Sequence, residues 1–418
     1  MTLPTKCARM DPLIELCSHI VTADSVINLP YYSVMGVELV VGQLDLSGYK
    51  VELEVDDQVE ELNDNYTTSL IRDIVDDINL PKVYNRAENK LLNMITICKW
   101  LVESPSERVL NGYTVGDLLL SSDNSRPLRV YDCAAGPGGW SAWMLSHYPN
   151  STVVGFTLKG DDSNFYWYSR LMSHSRFYGY YGDLFTEWES HTTMAKEVHF
   201  NGQGADLFTS DGGLWYEDLV TDNKAYDRSV EQRRIVIAGR LQLIVAEILA
   251  ALNVTRPGGS IIIKLFNIDN PVLHQLLTVV GSCCQYSTVV KLITSRSQNR
   301  EMFYLGLYRK VDVSREIELL KGVLNNWSEL YPMSLVANIP VDVQQFFDMV
   351  VKSEFDSHLR TVDLSNRLLE MLRDRGMIKI GKPINRRAVI ELGKDYHSNH
   401  KMNRYILYSI LGLINGRS

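Results

Sequence analysis

The feature that most constrains the fold of this chain is the regular alternation of apolar runs and helical patterns between residues 128 and 308. Strand-like runs occur at Leu128 to Tyr131, Thr152 to Leu158, Phe177 to Tyr181, Ala205 to Thr209, Ser260 to Phe266, Thr288 to Ile293 and Met302 to Tyr308. Helical patterns separate most of them. Ser141 to His147 is one, and a longer one from Val230 to Leu252 is apolar at Ile235, Leu241, Val245, Ile248, Leu249 and Leu252, with Pro257-Gly258-Gly259 in its exit loop. Such alternation predicts an α/β layer sandwich built on seven mostly parallel strands. The last two runs are separated only by Thr294 to Glu301, too short for a helical crossover, so the seventh strand should be antiparallel and hairpin-linked to the sixth.

Between the first run and its helix lies Tyr131-Asp132-Cys133-Ala134-Ala135-Gly136-Pro137-Gly138-Gly139-Trp140. Gly136, Gly138 and Gly139 let backbone approach a ligand closely, and Asp132 places a carboxylate at the strand's end to receive a cation. A ligand with an amino group and an adenosine suits this turn better than a pyrophosphate. Open parallel sheets gather their ligands at the carboxyl ends of the strands. Asp132, Asp211 and Lys264 lie at or near such ends, and an antiparallel seventh strand brings Glu301 to the same rim.

Read singly, these charges carry unequal weight. Asp211, in Ser210-Asp211-Gly212-Gly213, reads equally well as a turn residue. Lys90 lies on an amphipathic helix between Asn85 and Val102 and alone reads as a surface lysine. Lys264 is different: within Ile261-Ile262-Ile263-Lys264-Leu265-Phe266 it sits in a strand buried on both faces, where an ammonium must be paired or functional.

Taken together, five segments in order resemble the FtsJ-like RNA ribose 2′-O-methyltransferases, and within them the eukaryotic and viral mRNA cap enzymes. The segments are Asn85-Arg86-Ala87 with Lys90; Ala134 to Trp140; Gly155-Phe156-Thr157-Leu158-Lys159-Gly160; Ser210 to Gly213 with Lys264; and Ile293-Thr294-Ser295-Arg296 with Asn299 and Glu301. The resemblance implies a Rossmann-like methyltransferase sheet, S-adenosyl-L-methionine as cofactor and capped RNA as substrate; no metal is expected, because the sulfonium is already an activated leaving group and the sequence shows no ligand cluster. It implies a Lys-Asp-Lys-Glu tetrad at Lys90, Asp211, Lys264 and Glu301, with Lys264 as general base for a ribose 2′-OH. It places cofactor contacts at Asn85, Asp132, Ala134, Ala135, Gly136, Pro137, Gly138, Gly139, Trp140, Asp183 and Leu184. RNA contacts are expected at Arg86, Ser295, Arg296 and Asn299, and an aromatic slot for the cap could draw on Trp215, Tyr216, Tyr166, Trp167 and Tyr168. Methylation of internal ribosomal or transfer RNA sites, or a non-catalytic RNA-binding subunit retaining the fold, are the competing expectations.

Outside residues 81–310 the resemblance offers nothing, and charge is the guide. Twelve acidic residues between Glu38 and Asp77 face only Lys50 and Arg72, whereas the stretch from Arg373 onward has ten basic residues against Asp374, Glu391 and Asp395. The acidic block is a solvated face or a surface for a protein partner. The basic end, with Lys379, Lys382, Arg386 and Arg387, either holds RNA phosphates or balances the acidic block. Residues 1–80 are expected as an N-terminal extension, with helix-like Asp11 to Ile20 and Thr68 to Ile78 and strand-like Val37 to Val41 and Tyr49 to Val55. Residues 311–418 are expected as a helical extension, with patterns at Arg315 to Leu324, Val341 to Val351, Leu364 to Leu372 and Tyr405 to Leu413.

The compartment follows from what the sequence lacks. No apolar run near a membrane-spanning length is expected, and Leu13 to Val21 is broken by Glu15 and His19, unlike a signal peptide. The six cysteines form no C-x-x-C pair and read as buried thiols. The expectation is an intracellular protein, nuclear if a cellular capping enzyme and cytoplasmic or in the virion if viral, with no membrane contact.

Overall fold

The structure is a computed structural model describing residues 32–46, 87, 90, 91, 94, 127–160, 166–213, 230–292 and 300–374. The strands in chain order are β1 (Leu39–Gln43), β2 (Arg129–Cys133), β3 (Thr152–Thr157), β4 (Phe177–Tyr181), β5 (Ala205–Ser210), β6 (Thr255–Leu265), β7 (Cys284–Val290), β8 (Met302–Arg309) and β9 (Met333–Val336). The helices are α1 (Gly139–His147), α2 (Ser169–Met172), α3 (Leu184–Met194), α4 (Val230–Val254), α5 (Pro271–Ser282), α6 (Ser314–Asn325), α7 (Trp327–Leu330) and α8 (Val341–Asp374), and a π-helical turn, Ala195–His199, extends α3.

Seven strands pair in the order β4-β3-β2-β5-β6-β8-β7. The pairs from β4 to β6 are parallel, whereas β8 runs antiparallel to both β6 and β7. The hairpin read from the short connection is therefore present, and its second strand inserts between β6 and β7. The register Lys264↔Phe303 and Leu265↔Met302 puts Glu301 beside the carboxyl end of β6. Strand order turns back on itself between β2 and β5, which creates a crevice at their carboxyl ends.

Burial explains why the central strands carry apolar runs. Val130, Tyr131 and Cys133 of β2 and Ile261, Ile262 and Ile263 of β6 are at most 1% exposed because helices cover both faces. Helix α4 supplies much of one cover through Leu241, Val245, Ile248, Leu249 and Leu252. Its stretch Arg233–Val254 is long and apolar enough by composition to cross a membrane, contrary to the sequence expectation. Its residues Leu241, Ile244, Val245, Ile248, Leu249 and Leu252 are buried in the core with Phe208 and Ile263, which accounts for their apolarity.

Two further expectations need correction. Pro257-Gly258-Gly259 is not an exit loop but part of β6, where the register against β5 shifts between Ala205 and Leu207; the strand absorbs the irregularity as a bulge. Val341 to Val351 and Leu364 to Leu372 belong to the single helix α8, since no glycine or proline interrupts the chain between them.

Segments far apart in sequence complete the core. β1 pairs antiparallel with β9, so the portion after residue 310 contributes a strand as well as helices. Gln275 of α5 accepts from the Leu335 and Val336 backbone N–H groups through Oε1, each at 3.0 Å. Tyr32 exchanges backbone hydrogen bonds with Ser287 at 2.7 and 2.9 Å and packs on Phe346 and Phe347 of α8. Cys133, Cys283 and Cys284 are buried free thiols, as expected. The helix-like stretches Asp11 to Ile20, Thr68 to Ile78 and Tyr405 to Leu413, and the strand-like Tyr49 to Val55, lie outside the described residues.

Candidate active site

Four side chains from four separate segments meet at the carboxyl rim of the sheet. Lys90 comes from a helical segment in which Ala87, Leu91 and Met94 are also helical, Asp211 follows β5, Lys264 lies near the end of β6, and Glu301 precedes β8. Lys90 Nζ stands 2.8 Å from each Glu301 carboxylate oxygen and 3.9 Å from Asp211 Oδ1. Lys264 Nζ lies 3.1 Å from the same Asp211 oxygen and donates to the Asp211 carbonyl at 2.6 Å. Asp211 thus stands between the two lysines, and the set contains two formal cations and two formal anions.

Local structure explains how each charge is held. Trp140 of α1 donates its indole N–H to the Ala87 carbonyl at 2.5 Å, which docks the segment carrying Lys90 one turn before that residue. The Lys90 ammonium also lies 5.7 Å from the centre of the Phe303 ring, within cation–π reach. Behind Asp211, Glu247 of α4 accepts from Ser210 Oγ at 2.5 Å and is 1% exposed. A Cβ on Gly212 would overlap Glu247 Oε1, and one on Gly213 would sit 3.4 Å from Lys264 Nζ. Gly212 therefore lets a buried carboxyl support the turn, whereas a side chain at Gly213 would meet the Lys264 amine at ordinary contact distance.

Glu247 escaped the sequence reading, although a signal for it was present. A single acid in the apolar stretch from Leu241 to Val254 poses the same problem as Lys264 in its strand, since a buried charge must be satisfied or neutralised. Burial pushes its carboxyl up to about 7, against the lowering effects of the Ser210 hydrogen bond and the Lys264 charge. The proton is then held in the folded protein between the ordinary value of 4.5 and about 7. Its stabilising contribution is full below the lower value and is lost as pH rises through the upper one. Relative to wild type, the unfolding free energy of Glu247→Gln should therefore rise by on the order of 3 kcal/mol between pH 4.5 and 8. Denaturant unfolding across that range measures it; a pH-independent difference would mean that Glu247 remains ionised in the fold.

The glycine turn sits beside the tetrad at the switch point. Ala134 to Pro137 are half-buried, Ala134 has φ of 50°, and Gly138 at the start of α1 has φ of 101°. The Ala135 and Gly136 N–H groups donate to the Phe156 carbonyl and Thr157 Oγ1 at 3.3 and 3.2 Å, fastening the turn to the end of β3. Asp132 does not serve as expected. It is 1% exposed, and its carboxyl accepts from Ser141 Oγ at 2.6 Å and Thr209 Oγ1 at 2.7 Å, so it braces the turn from within and is not offered to a ligand. Burial pushes this carboxyl up to about 7 as well, despite both hydroxyl donors.

The remaining expected site residues divide. Asp183 caps α3 by accepting from the Phe185 N–H at 2.9 Å, and Leu184 is buried beside it at the end of β4. Trp167 is buried against Phe177, and Cβ atoms on Gly138, Gly155 or Gly179 would crowd its ring; it packs behind the turn and is not free to stack on a cap. Tyr166 is exposed and meets Tyr181 edge-on, while Tyr168 has the Arg170 guanidinium 5.2 Å over its ring. Asn85, Arg86, Trp215, Tyr216, Ser295, Arg296, Asn299, Lys379, Lys382, Arg386 and Arg387 lie outside the described residues.

The sequence profile of the FtsJ-like methyltransferases matches residues 83–309, more than half of the chain and a span that contains Lys90, Asp211, Lys264 and Glu301. The chain belongs to the FtsJ-like methyltransferase family. Among curated relatives of this FtsJ-like protein, cap-specific mRNA (nucleoside-2′-O-)-methyltransferase 1 of Drosophila melanogaster is 26% identical over 307 residues, covering 71% of the chain and 35% of the relative. Its Caenorhabditis elegans namesake is 27% identical over 299 residues, covering 67% and 32%. An inactive cap-specific mRNA (nucleoside-2′-O-)-methyltransferase 1B of Caenorhabditis briggsae is equally similar, 27% over 305 residues, covering 67% and 34%. The chain spans about a third of the length of the curated relatives it matches. Human methyltransferase-like protein 13, solved in complex with SAH, aligns with a TM-score of 0.30 and 12% identity, covering 57% of this chain and 91% of that one.

The cofactor implied by membership is S-adenosylmethionine, and the turn fits it. Helix α1 starts from Gly138, and the buried Asp132 carboxyl accepts from the Ser141 N–H in its first turn, so the turn is braced from within. The half-buried Ala134 to Pro137 leave backbone accessible alongside it.

Proposed function

We propose that this chain transfers a methyl group from S-adenosylmethionine to a ribose 2′-OH near the 5′ cap of mRNA, with Lys90, Asp211, Lys264 and Glu301 as the catalytic set. One observation carries the reading: two lysines and two carboxylates are linked through Asp211 at the sheet rim that also holds the glycine turn. When bound, the cofactor supplies an electrophilic methyl group on a sulfonium. The residues must then position the hydroxyl and remove its proton, since a ribose hydroxyl is a poor nucleophile near neutral pH.

Each member has a distinct task. Lys264, as the neutral amine, accepts the hydroxyl proton at Nζ, where Asp211 orients it through carbonyl and carboxylate. Lys90 stabilises the negative charge developing on the ribose oxygen. Glu301 holds Lys90 in place through its paired contacts.

Similarity alone would equally support a non-catalytic RNA-binding protein, because a relative named inactive is as close as those named active. The tetrad favours the enzyme: a scaffold gains nothing from a largely buried lysine in β6 paired with Asp211 at the ligand rim. Incubating the chain with labelled S-adenosylmethionine and capped or uncapped short RNAs, followed by nuclease mapping, tests the proposal. Label on a cap-proximal ribose of capped RNA alone is expected. Label at internal riboses would redirect it to structured RNA, and no label would favour the non-catalytic protein.

A further inference from the structure

Arg300 immediately precedes Glu301, and carboxylates from two different segments share its guanidinium. Nη2 donates to Asp269 Oδ1 at 2.9 Å, while Nε and Nη2 donate to Glu354 Oε1 and Oε2 at 3.0 and 3.1 Å. Asp269 belongs to the connection between β6, the strand of Lys264, and α5. Glu354 belongs to α8 and is 4% exposed. The paired contact to Glu354 is the fork geometry that only arginine provides. It joins three parts of the chain next to one member of the tetrad.

We propose that Glu354 is a positioning residue: through the Arg300 fork, α8 sets the start of β8 and thereby the Glu301 carboxylate that holds Lys90. The chain of contacts is continuous, from Glu354 to Arg300, then across one peptide to Glu301, then to Lys90 at 2.8 Å. An isolated fork with no influence on the tetrad would be a costly way to join helix to sheet, because burying charges carries a desolvation penalty that apolar packing avoids. The catalytic half of this inference rests on the methyl-transfer reading above; the positional half does not.

The test compares Glu354→Gln and Arg300→Lys with Phe347→Leu in the full chain. Phe347 is a buried residue of α8 that stacks on His274, so its replacement loosens the helix without removing a charged partner of Arg300. Glu354→Gln and Arg300→Lys should each lower kcat by roughly tenfold to a hundredfold well below the melting temperature, as a small misplacement of catalytic groups does. KM for S-adenosylmethionine should stay within about twofold, since the cofactor turn is untouched. Glu354→Asp should restore part of the rate. Hydrogen exchange of peptides spanning 300–305 should accelerate in Glu354→Gln and stay unchanged in Phe347→Leu. Equal loss of turnover in Phe347→Leu and Glu354→Gln at matched melting temperatures would overturn the proposal, and so would unchanged exchange near Glu301. A wild-type chain that methylates no RNA would defeat the functional reading, while the exchange comparison would still decide whether Glu354 positions Glu301.

Discussion

Replacing Lys264 by alanine is expected to abolish methyl transfer while leaving S-adenosylmethionine affinity nearly intact. The amine is held by the Asp211 carbonyl and carboxylate, at 2.6 and 3.1 Å. None of those contacts involves the turn at Ala134 to Gly139, so the loss falls on proton removal and not on the cofactor. A positioned base contributes about 10²- to 10⁴-fold, and the decrease in single-turnover rate should fall in that range. The fold should survive, because the apolar neighbours Ile261, Ile262, Ile263 and Leu265 keep β6 in place. Loss of the ammonium also removes a charge that lowers the Glu247 carboxyl, so that group should titrate above its wild-type value of about 7. Turnover within about tenfold of wild type would remove Lys264 from the role of base.

Gly138→Val should produce the opposite pattern, loss of cofactor binding first. Gly138 has φ of 101°, which a β-branched residue resists at a cost of about 1–3 kcal/mol. A Cβ there would overlap Leu171 Cδ1 and approach Trp167 Cε3 to 3.2 Å, so either the buried Leu171 side chain or the turn must shift. Overpacking adds about 1–3 kcal/mol. If even half of that strain is relieved only by moving the turn, affinity for S-adenosylmethionine falls by roughly tenfold to a hundredfold, at about 1.4 kcal/mol per factor of ten. Calorimetry on the folded variant measures it, with circular dichroism as the check on folding. Unchanged affinity would mean that the glycine turn serves the βα connection alone.

Much of this site could be read from the chain because local rules encode it. A run such as Ile261 to Phe266 specifies a strand buried on both faces, and the lysine inside it stands out against that background. The short connection before Met302 forces an antiparallel return, which is enough to bring Glu301 to the rim that holds Asp211 and Lys264. The glycine turn is legible for a similar reason, since left-handed backbone at Gly138 and close approach at Gly212 demand a residue without a side chain.

Partnerships of individual side chains were a different matter. Asp132 looked available at the end of its strand, but Thr209, on a neighbouring strand, and Ser141 close its carboxyl from solvent. Glu247 meets Ser210 from a helix, Glu354 reaches Arg300 from another, and β1 finds β9 across most of the chain. Periodicity along the sequence states which face of a strand or helix is apolar and where a turn must fall, because those follow from backbone geometry within a few residues. Which polar group answers which buried charge depends on how helices and strands pack in space, and burial makes that answer compulsory only once the layers have closed.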